Sequence, residues 1–189
     1  GGRAAAILSG FGEKICFHSY VHKSKERDFK YFSNIYKIDI ELLSSTEIIN
    51  FEYYHALSAP NIHTLNNPIE IQQQTTIDED IVICYGMMEA QNPIINADYV
   101  VFDPQSENNP SMIFDNGSTI KHLALILNVE EGKKFTSECN IESIAKSFFK
   151  KSKNLELLIL KDGPFGAHLF HNDEYYHVDA YETKNVFKI

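Results

Sequence analysis

The chain has 189 residues, of which 43% are hydrophobic and 23% are charged, as is usual for one globular domain. Its formal net charge is −9 and it contains no basic stripe, which disfavours a nucleic-acid-binding protein. No apolar run approaches the length needed to span a bilayer and no signal peptide is recognisable, so we expect a cytoplasmic protein without a membrane partner.

The cysteines and the first residues indicate the redox compartment of the protein and the processing of its N-terminus. Cys16, Cys84 and Cys139 are far apart and odd in number. This pattern favours buried thiols in a reducing compartment over a disulfide framework or a zinc site. The chain starts with Gly1-Gly2 rather than Met, so we expect that it was processed or trimmed, or that it carries the remnant of a tag.

Three elements are predicted in the first forty residues. AAAILSGFG (4–12) is typical of a short helix of small residues, and KICFHSY (14–20) is typical of a strand. The segment 26–38 has apolar side chains at helical spacing, which predicts an amphipathic helix. These side chains are Phe29, Phe32, Ile35 and Tyr36.

Residues 42–80 differ from the rest of the chain. The part TEIINFEYYHAL (46–57) could form a strand, and the residues that follow are polar and rich in turn signals. An excursion of this kind could form a lid over a cleft, in which one of Tyr53, Tyr54 and His55 would touch a substrate, although such side chains are more often packing groups. An ordinary surface hairpin explains the same composition equally well.

Four short apolar runs predict the strands of a buried sheet. They lie at 81–86, 97–103, 122–128 and 155–161, and continuous apolar runs indicate strands covered on both faces. Asn140 is suited to cap a helix between the last two runs. The pattern therefore predicts an α/β fold, with a Rossmann-like and mainly parallel sheet flanked by helices.

Polar residues and glycine follow each of these runs. Gly86, Asp103, Asn128 and Lys161 come at or directly after the ends of the four predicted strands. Because ligands in open α/β sheets bind outside the carboxyl ends of the strands, these residues mark one candidate binding edge. Their combination is more informative than any one of them.

Asn128 and Glu131 have two interpretations. An amide and a carboxylate three residues apart could position hydrated Mg²⁺ beside a phosphate. Alternatively, Asn128 caps a helical turn and Glu131 interacts favourably with its positive end. Taken alone, the capping interpretation is favoured.

The segment KDGPFG (161–166) also has two interpretations. Lys161 could meet a phosphate as a point charge, and Gly163 and Gly166 would let the backbone approach a ligand closely. The alternative is the turn into a β-hairpin over 167–181, and we predict that hairpin in either case.

In this order, the strand ends resemble those of the ribokinase-like (PfkB-type) carbohydrate kinases. LILNVEE is similar to the family's Asn-x-x-Glu motif, and LKDGPFGA is similar to the Gly-x-x-Gly that borders its nucleotide. GGRAAAILSGFG is similar to the Gly-Gly start of its sugar-binding helix. The stretches that carry the resemblance are DYVVFDPQ (98–105), LILNVEEGKKFT (125–136), LLILKDGPFGAHLF (157–170) and YETKNVFKI (181–189).

The resemblance implies an ATP-dependent kinase that phosphorylates a hydroxymethyl group of a sugar or nucleoside, with Mg²⁺ as the second cofactor. Two groups of residues follow from it. Expected to bind ATP are Asn128, Lys161, Gly163 and Gly166, with Glu131 for the metal. Expected to bind the substrate are Gly1, Gly2, Tyr54 and Asp103. The excursion at 42–80 falls where the family places its small β lid, and a homodimer formed through this lid is a further expectation, since its strands have free edges.

The resemblance also implies parts that the 189 residues do not contain. Relatives carry a Gly-x-Gly-Asp stretch after a segment like 181–189, so the Asp that serves as catalytic base is expected beyond Ile189. We therefore expect this chain to be truncated at both ends and not to transfer phosphate by itself. Ala6 replaces a frequent Asn, and no Arg follows Gln105. These departures favour the alternative function, a catalytically silent kinase-like domain that binds a small ligand or a protein.

Overall fold

The chain divides between Gln72 and Gln73 into two units, each with its own secondary structure. This computed structural model describes residues 1–54, 60–105 and 112–182. Predictions that concern residues 55–59, 106–111 and 183–189 lie outside the described residues. They include the end of the strand predicted over 46–57 and most of YETKNVFKI. The expectation of a catalytic base beyond Ile189 is likewise untested and stays a prediction.

The described residues of the first unit form two α-helices and two small sheets. Strands β1 (Cys16–His22) and β2 (Asp39–Ser45) pair in parallel, and helix α2 (Glu26–Tyr36) connects them. Helix α1 (Gly2–Ser9) precedes them. Strands β3 (Asn50–Glu52) and β4 (Asn61–His63) form an antiparallel pair. The predicted strand over 46–57 is thus reduced, in the described residues, to the three residues of β3.

Helix α2 is amphipathic, as its spacing predicted, but it uses only part of its apolar face. The rings of Phe29 and Phe32 lie 6.1 and 6.0 Å from the ring of Phe17 on β1, measured between centroids. Ile35 and Tyr36 are 53% and 41% exposed. The helix therefore packs on β1 mainly through its first two turns.

A buried carboxylate organises the chain that follows β2. Glu47 is only 4% exposed, and its two oxygens accept the backbone N–H groups of Asn66 (3.3 Å) and Glu70 (2.9 Å). The hydrogen bond from the Glu70 amide lowers the pKa of Glu47 from its ordinary value of 4.5, because it stabilises the ionised form. One side chain thus ties residues 66–70 to the end of β2.

We predict that this carboxylate makes the first unit sensitive to acid. Because the pKa of Glu47 is lower in the folded chain, its contribution to stability is complete above 4.5 and is lost as the pH falls through the folded-state pKa. Urea unfolding followed by circular dichroism across this range should show a smaller pH dependence for Glu47→Gln than for the parent chain. The matched control is the exposed Glu13→Gln, which should retain the parent's dependence. Equal pH dependence of parent and Glu47→Gln would contradict the prediction.

The second unit is built on a seven-stranded sheet. The strands follow the order β11-β10-β9-β8-β7-β5, and β6 also pairs with β7. Pairing is parallel from β5 to β9 and antiparallel in the hairpin of β10 and β11. The elements are β5 (Thr76–Asp78), β6 (Ile81–Tyr85), β7 (Ile94–Asp103), β8 (Thr119–Asn128), α3 (Val129–Thr136), α4 (Ile141–Lys151), β9 (Leu155–Lys161), β10 (Ala167–His171) and β11 (Glu174–Val178).

This sheet confirms the predicted α/β fold with a mainly parallel sheet. The predicted cap is also present, since the Asn140 side chain accepts the backbone N–H of Ser143 at 2.8 Å. Helix α4 packs Ile144 and Phe148, which are 0% and 1% exposed, into the core of this unit. Side chains from β7, β8 and β9 fill the same core, namely Val100, Phe102, Leu123, Leu125, Leu127, Leu158 and Leu160.

The opposite side of the sheet is open at β6 and β7. Ile81, Ile83 and Tyr99 are 71%, 40% and 53% exposed. The prediction that these strands are buried on both faces is therefore wrong for the described residues, because helices α3 and α4 pack on the side that carries Leu125 and Leu158.

The prediction of buried thiols is correct for one cysteine only. Cys84 on β6 is buried, and burial raises the pKa of its thiol to about 12. Cys16 and Cys139 are exposed. No helix in the described ranges has both the length and the apolar character that a membrane span requires.

Candidate functional site

The ends of β7, β8 and β9 bring three of the predicted residues to one edge of the sheet. Asp103 is the last residue of β7, Asn128 of β8 and Lys161 of β9. These strands are neighbours and parallel, and Asn128 lies opposite Lys161 in the register. The predicted meeting of these strand ends at one edge is therefore confirmed, while ligand binding at this edge stays a prediction.

An ion pair connects two of these residues across the middle strand. Lys161 Nζ lies 3.0 Å from Asp103 Oδ2, and β8 separates their strands. The Asp103 side chain is 12% exposed and the Lys161 side chain 47%. The sequence indicated both residues but did not indicate that they would pair.

The second carboxylate oxygen of Asp103 has a different environment. Oδ1 is buried and has no hydrogen-bond partner among the described residues. A buried acceptor without a partner costs about 1–3 kcal/mol. Asp103 therefore has one oxygen occupied by Lys161 and one that can accept a hydrogen bond from a bound hydroxyl or amide.

Gly86 fixes the chain that follows Asp103. Its amide donates to the Asp103 carbonyl at 2.8 Å, and a Cβ at this position would overlap the carbonyl oxygen of Pro104. Only glycine lets the two segments approach so closely. Gly86 is thus a positioning residue for Asp103, a role that its place after a strand hinted at but did not specify.

We predict that Gly86→Ala lowers the free energy of unfolding by about 3 kcal/mol, because a methyl group cannot fit against the Pro104 backbone. Gly117→Ala is the matched control in the same unit. Gly117 has a φ of +93°, but a Cβ added there would have no atom within 4 Å, so its replacement should cost only about 1–2 kcal/mol of backbone strain. Urea unfolding of both variants measures the difference, and equal losses would contradict the steric argument.

Asn128 and Glu131 form a capping box at the start of α3. Asn128 Oδ1 accepts the Glu131 amide, and Glu131 Oε2 accepts the Asn128 amide, both at 2.7 Å. Glu131 is 6% exposed. The capping interpretation is therefore confirmed. Metal binding by this pair stays a prediction, and it would require contacts through water or opening of the box.

The loop between β9 and β10 is a tight turn with few amides available to an anion. The amides of Asp162, Phe165 and Gly166 donate to carbonyls within the loop, at 2.8, 3.0 and 3.2 Å. Pro164 has no N–H. The turn can thus offer an anion at most the amide of Gly163, together with the side chain of Lys161.

The two glycines of this loop differ in the space around them. Gly163 has a φ of +54°, and no atom would lie within 4 Å of a Cβ there, so its outer side is open. A Cβ on Gly166 would instead overlap the carbonyl oxygen of Val178 on β11. Gly166 is therefore required by the hairpin itself, and only Gly163 has an open side that a ligand could approach.

Histidines of the hairpin, which the sequence did not single out as site residues, support this loop. His168 Nδ1 lies 2.9 Å from the Tyr175 hydroxyl, and His168 Nε2 lies 3.5 Å from Asp162 Oδ2. His177 Nε2 lies 2.9 Å from the Phe165 carbonyl. The predicted hairpin is confirmed, and two of its side chains contact the loop.

The remaining predicted residues belong to the first unit. Gly1 and Gly2 stand at the start of α1, and a Cβ on Gly1 would lie 3.2 Å from the Phe17 ring. Tyr54 is 79% exposed, and its hydroxyl accepts from Asn61 Nδ2 at 3.3 Å. Substrate binding by these three residues stays a prediction.

Comparison with solved structures places the fold among sugar and nucleoside kinases. The fructokinase of Vibrio cholerae O395, in a form bound to fructose, ADP and calcium ion, is 12% identical and has a TM-score of 0.64, with 97% of this chain and 68% of the fructokinase covered. The ribokinase of Giardia lamblia is 13% identical, with a TM-score of 0.63 and coverages of 97% and 65%. No protein-family model and no curated protein sequence matches the chain.

An archaeal member of the ribokinase family gives the same result. The nucleoside kinase of Methanocaldococcus jannaschii is 13% identical, with a TM-score of 0.59 and coverages of 99% and 65%. At such identities the likeness establishes the fold. The chain has the fold of the ribokinase-like kinases, as the resemblance of its motifs predicted, and it spans about two thirds of the length of these structures.

Proposed function

We propose that the chain forms the nucleotide-binding part of an ATP-dependent kinase that phosphorylates a hydroxymethyl group of a sugar or nucleoside. The observation that carries this proposal is the arrangement of Asp103, Asn128 and Lys161 at one sheet edge of a ribokinase-like fold. The proposal is supported by the three kinases compared above, which share this fold, and the strand-edge residues fit the reaction chemically.

Lys161 is the residue best suited to bind a phosphate. Its side chain is half exposed, and it directly precedes the turn in which Gly163 has an open outer side. A phosphate oxygen would compete with Asp103 Oδ2 for the same ammonium group, since both are anionic acceptors. Mg²⁺ would supply charge neutralisation for the phosphates, and Glu131 is the residue proposed to hold its hydration shell.

Asp103 is suited to position a hydroxyl of the substrate. Its orphaned Oδ1 can accept a hydrogen bond, and the backbone of Gly86 holds the residue in place. A carboxylate held in this way orients a substrate without itself reacting. The catalytic base stays an expectation from the family resemblance, placed beyond Ile189 and assigned to no residue of this chain.

We predict that Lys161→Ala weakens binding of Mg-ATP to the 189-residue chain roughly 10- to 100-fold, because a hydrogen bond between two charged groups is lost. Isothermal titration calorimetry measures the affinity directly. The matched control is Lys146→Ala, which removes an exposed lysine of α4 and should leave the affinity unchanged.

Lys161→Arg tests the same role without removing the charge. It should retain most of the affinity, since it keeps a cation next to Asp103. An unchanged affinity in Lys161→Ala, or an equal loss in Lys146→Ala, would contradict the assignment of Lys161 to the phosphates.

Glu131→Gln separates the structural role of Glu131 from its proposed metal role. Glutamine can still accept the Asn128 amide, so the capping box and the thermal stability should be largely retained. The loss of the carboxylate charge should reduce the Mg²⁺ dependence of ATP binding by about tenfold. Titration of ATP at several Mg²⁺ concentrations checks this, and an unchanged Mg²⁺ dependence in a stable variant would assign Glu131 to capping alone.

The second candidate function is a catalytically silent domain that binds a ligand or a protein. Two departures from the family favour it, because the resemblance implies an Asn where Ala6 stands and an Arg after Gln105. It predicts ATP binding without phosphate transfer even in a polypeptide extended by the expected Gly-x-Gly-Asp stretch. A homodimer through β3 and β4 is also proposed, supported by the exposure of Phe51 (49%) and Ile62 (45%) on the two strands.

A further inference from the structure

The first unit contains a group of potential metal ligands that the kinase proposal does not use. Cys16 and His18 stand two residues apart on β1, so their side chains point to the same face of the strand. Glu41 on β2 lies directly opposite His18 in the parallel register. Three different ligand types therefore meet on one face of a two-stranded sheet.

The distances between the ligand atoms of this group approach those found around a coordinated metal ion. One ligand atom from each of Cys16, His18 and Glu41 lies within 4.8 Å of the other two. His18 Nδ1 is 3.1 Å from Glu41 Oε2. In a tetrahedral zinc site with bonds of about 2.0 Å, neighbouring nitrogen and oxygen ligands lie about 3.3 Å apart. The imidazole and the carboxylate are thus already close to a coordinating separation.

The orientation of the imidazole selects the nitrogen that a cation would meet. His18 Nε2 is buried and has no hydrogen-bond partner among the described residues. Nδ1 is the nitrogen that faces Glu41, and the His18 side chain is 24% exposed. Because Nε2 is buried, a cation arriving from solution reaches His18 through Nδ1.

The chemistry of the three groups selects the kind of metal. Thiolate and imidazole are preferred by Zn²⁺, whereas Mg²⁺ and Ca²⁺ prefer oxygen ligands throughout. We propose that Cys16 Sγ, His18 Nδ1 and Glu41 Oε2 form a zinc site whose fourth position is open to solvent. Binding releases the thiol proton of Cys16 to the solvent, because the thiolate is the ligand.

Such a site would cross-link β1 and β2. The two strands are joined in sequence only through α2, and only seven residue pairs link them in the parallel register. An ion held by ligands from both strands would stabilise this small sheet, since it binds the folded unit and not the separated strands. The proposal is independent of the kinase function, because its ligands differ from those proposed for Mg²⁺.

Cobalt is the probe that reports directly on the thiolate. The full 189-residue chain, freed of metal with a chelator and kept reduced, is titrated first with Co²⁺ and then with Zn²⁺. We expect one equivalent of Co²⁺ to produce the near-ultraviolet thiolate-to-cobalt absorption band, and Zn²⁺ to displace it stoichiometrically. Zn²⁺ should also raise the thermal unfolding midpoint.

Variants identify the ligands. Cys16→Ser should abolish the charge-transfer band, and Glu41→Gln should weaken Zn²⁺ binding at least about tenfold. Glu41 is 63% exposed in its side chain, so its replacement does not threaten folding. His18→Ala should weaken binding similarly, with circular dichroism to confirm that the variant is folded.

Two matched controls come from the chain itself. Cys139→Ser removes the other exposed cysteine, and Asp28→Asn removes an exposed carboxylate from α2 in the same unit. Both should leave the band and the zinc affinity unchanged. The proposal is overturned if no band appears at one equivalent, if Cys139→Ser abolishes it, or if Glu41→Gln and Asp28→Asn weaken binding equally.

Discussion

The register between β8 and β9 is the constraint on which the candidate binding edge depends. Leu125 and Leu158 lie opposite each other on the side that is buried under α3 and α4, and the same register puts Asn128 opposite Lys161. A slip by one residue would turn the leucines outward and move Lys161 to the other face. Burial of apolar side chains thus determines where the polar strand ends meet.

The polar residues of this edge already make contacts that stabilise the fold, in addition to any contacts with a ligand. The Asn128 and Glu131 side chains satisfy amides at the start of α3, and Lys161 is paired with Asp103. A ligand at this edge would therefore replace existing hydrogen bonds and ion pairs rather than bind to unsatisfied polar groups. The exception is Asp103 Oδ1, which is buried and has no partner in the described part of the chain. This makes Asp103 the residue whose environment points most directly to a bound group.

Much of the second unit could be predicted from the sequence, because its signals are local. Continuous apolar runs indicated the strands from β6 to β9, and Asn140 indicated the start of α4. The exposure of Ile81 and Tyr99 could not be predicted, since a run of apolar residues does not say how many layers cover it. Of the strand predicted over 46–57, the described residues form only β3, and the β-forming residues Phe51, Tyr53 and Tyr54 are exposed.

The gathering of the candidate residues at one sheet edge could be predicted from the sequence, but the contacts between their side chains could not. Strand ends indicated Asp103 and Lys161, yet their ion pair across β8 depends on side-chain reach, which periodicity does not report. The two glycines of the turn looked equivalent in sequence, and only the return of β11 distinguishes Gly166 from Gly163. The spacing of the three cysteines disfavoured a zinc site, because it considers cysteine ligands alone. The partners of Cys16 in the zinc proposal are instead a histidine and a glutamate that the parallel register brings near.

The tight turn after β9 has a consequence for the entropy of ligand binding. Its internal hydrogen bonds and the close approach of Gly166 to Val178 already restrict the backbone. A loop that is ordered before a ligand arrives loses little conformational freedom when the ligand binds, whereas a flexible glycine-rich loop would lose about 1–2 kcal/mol for each residue that it orders. Affinity at this turn would thus be limited by the few donors that it offers and not by the cost of folding it around the ligand.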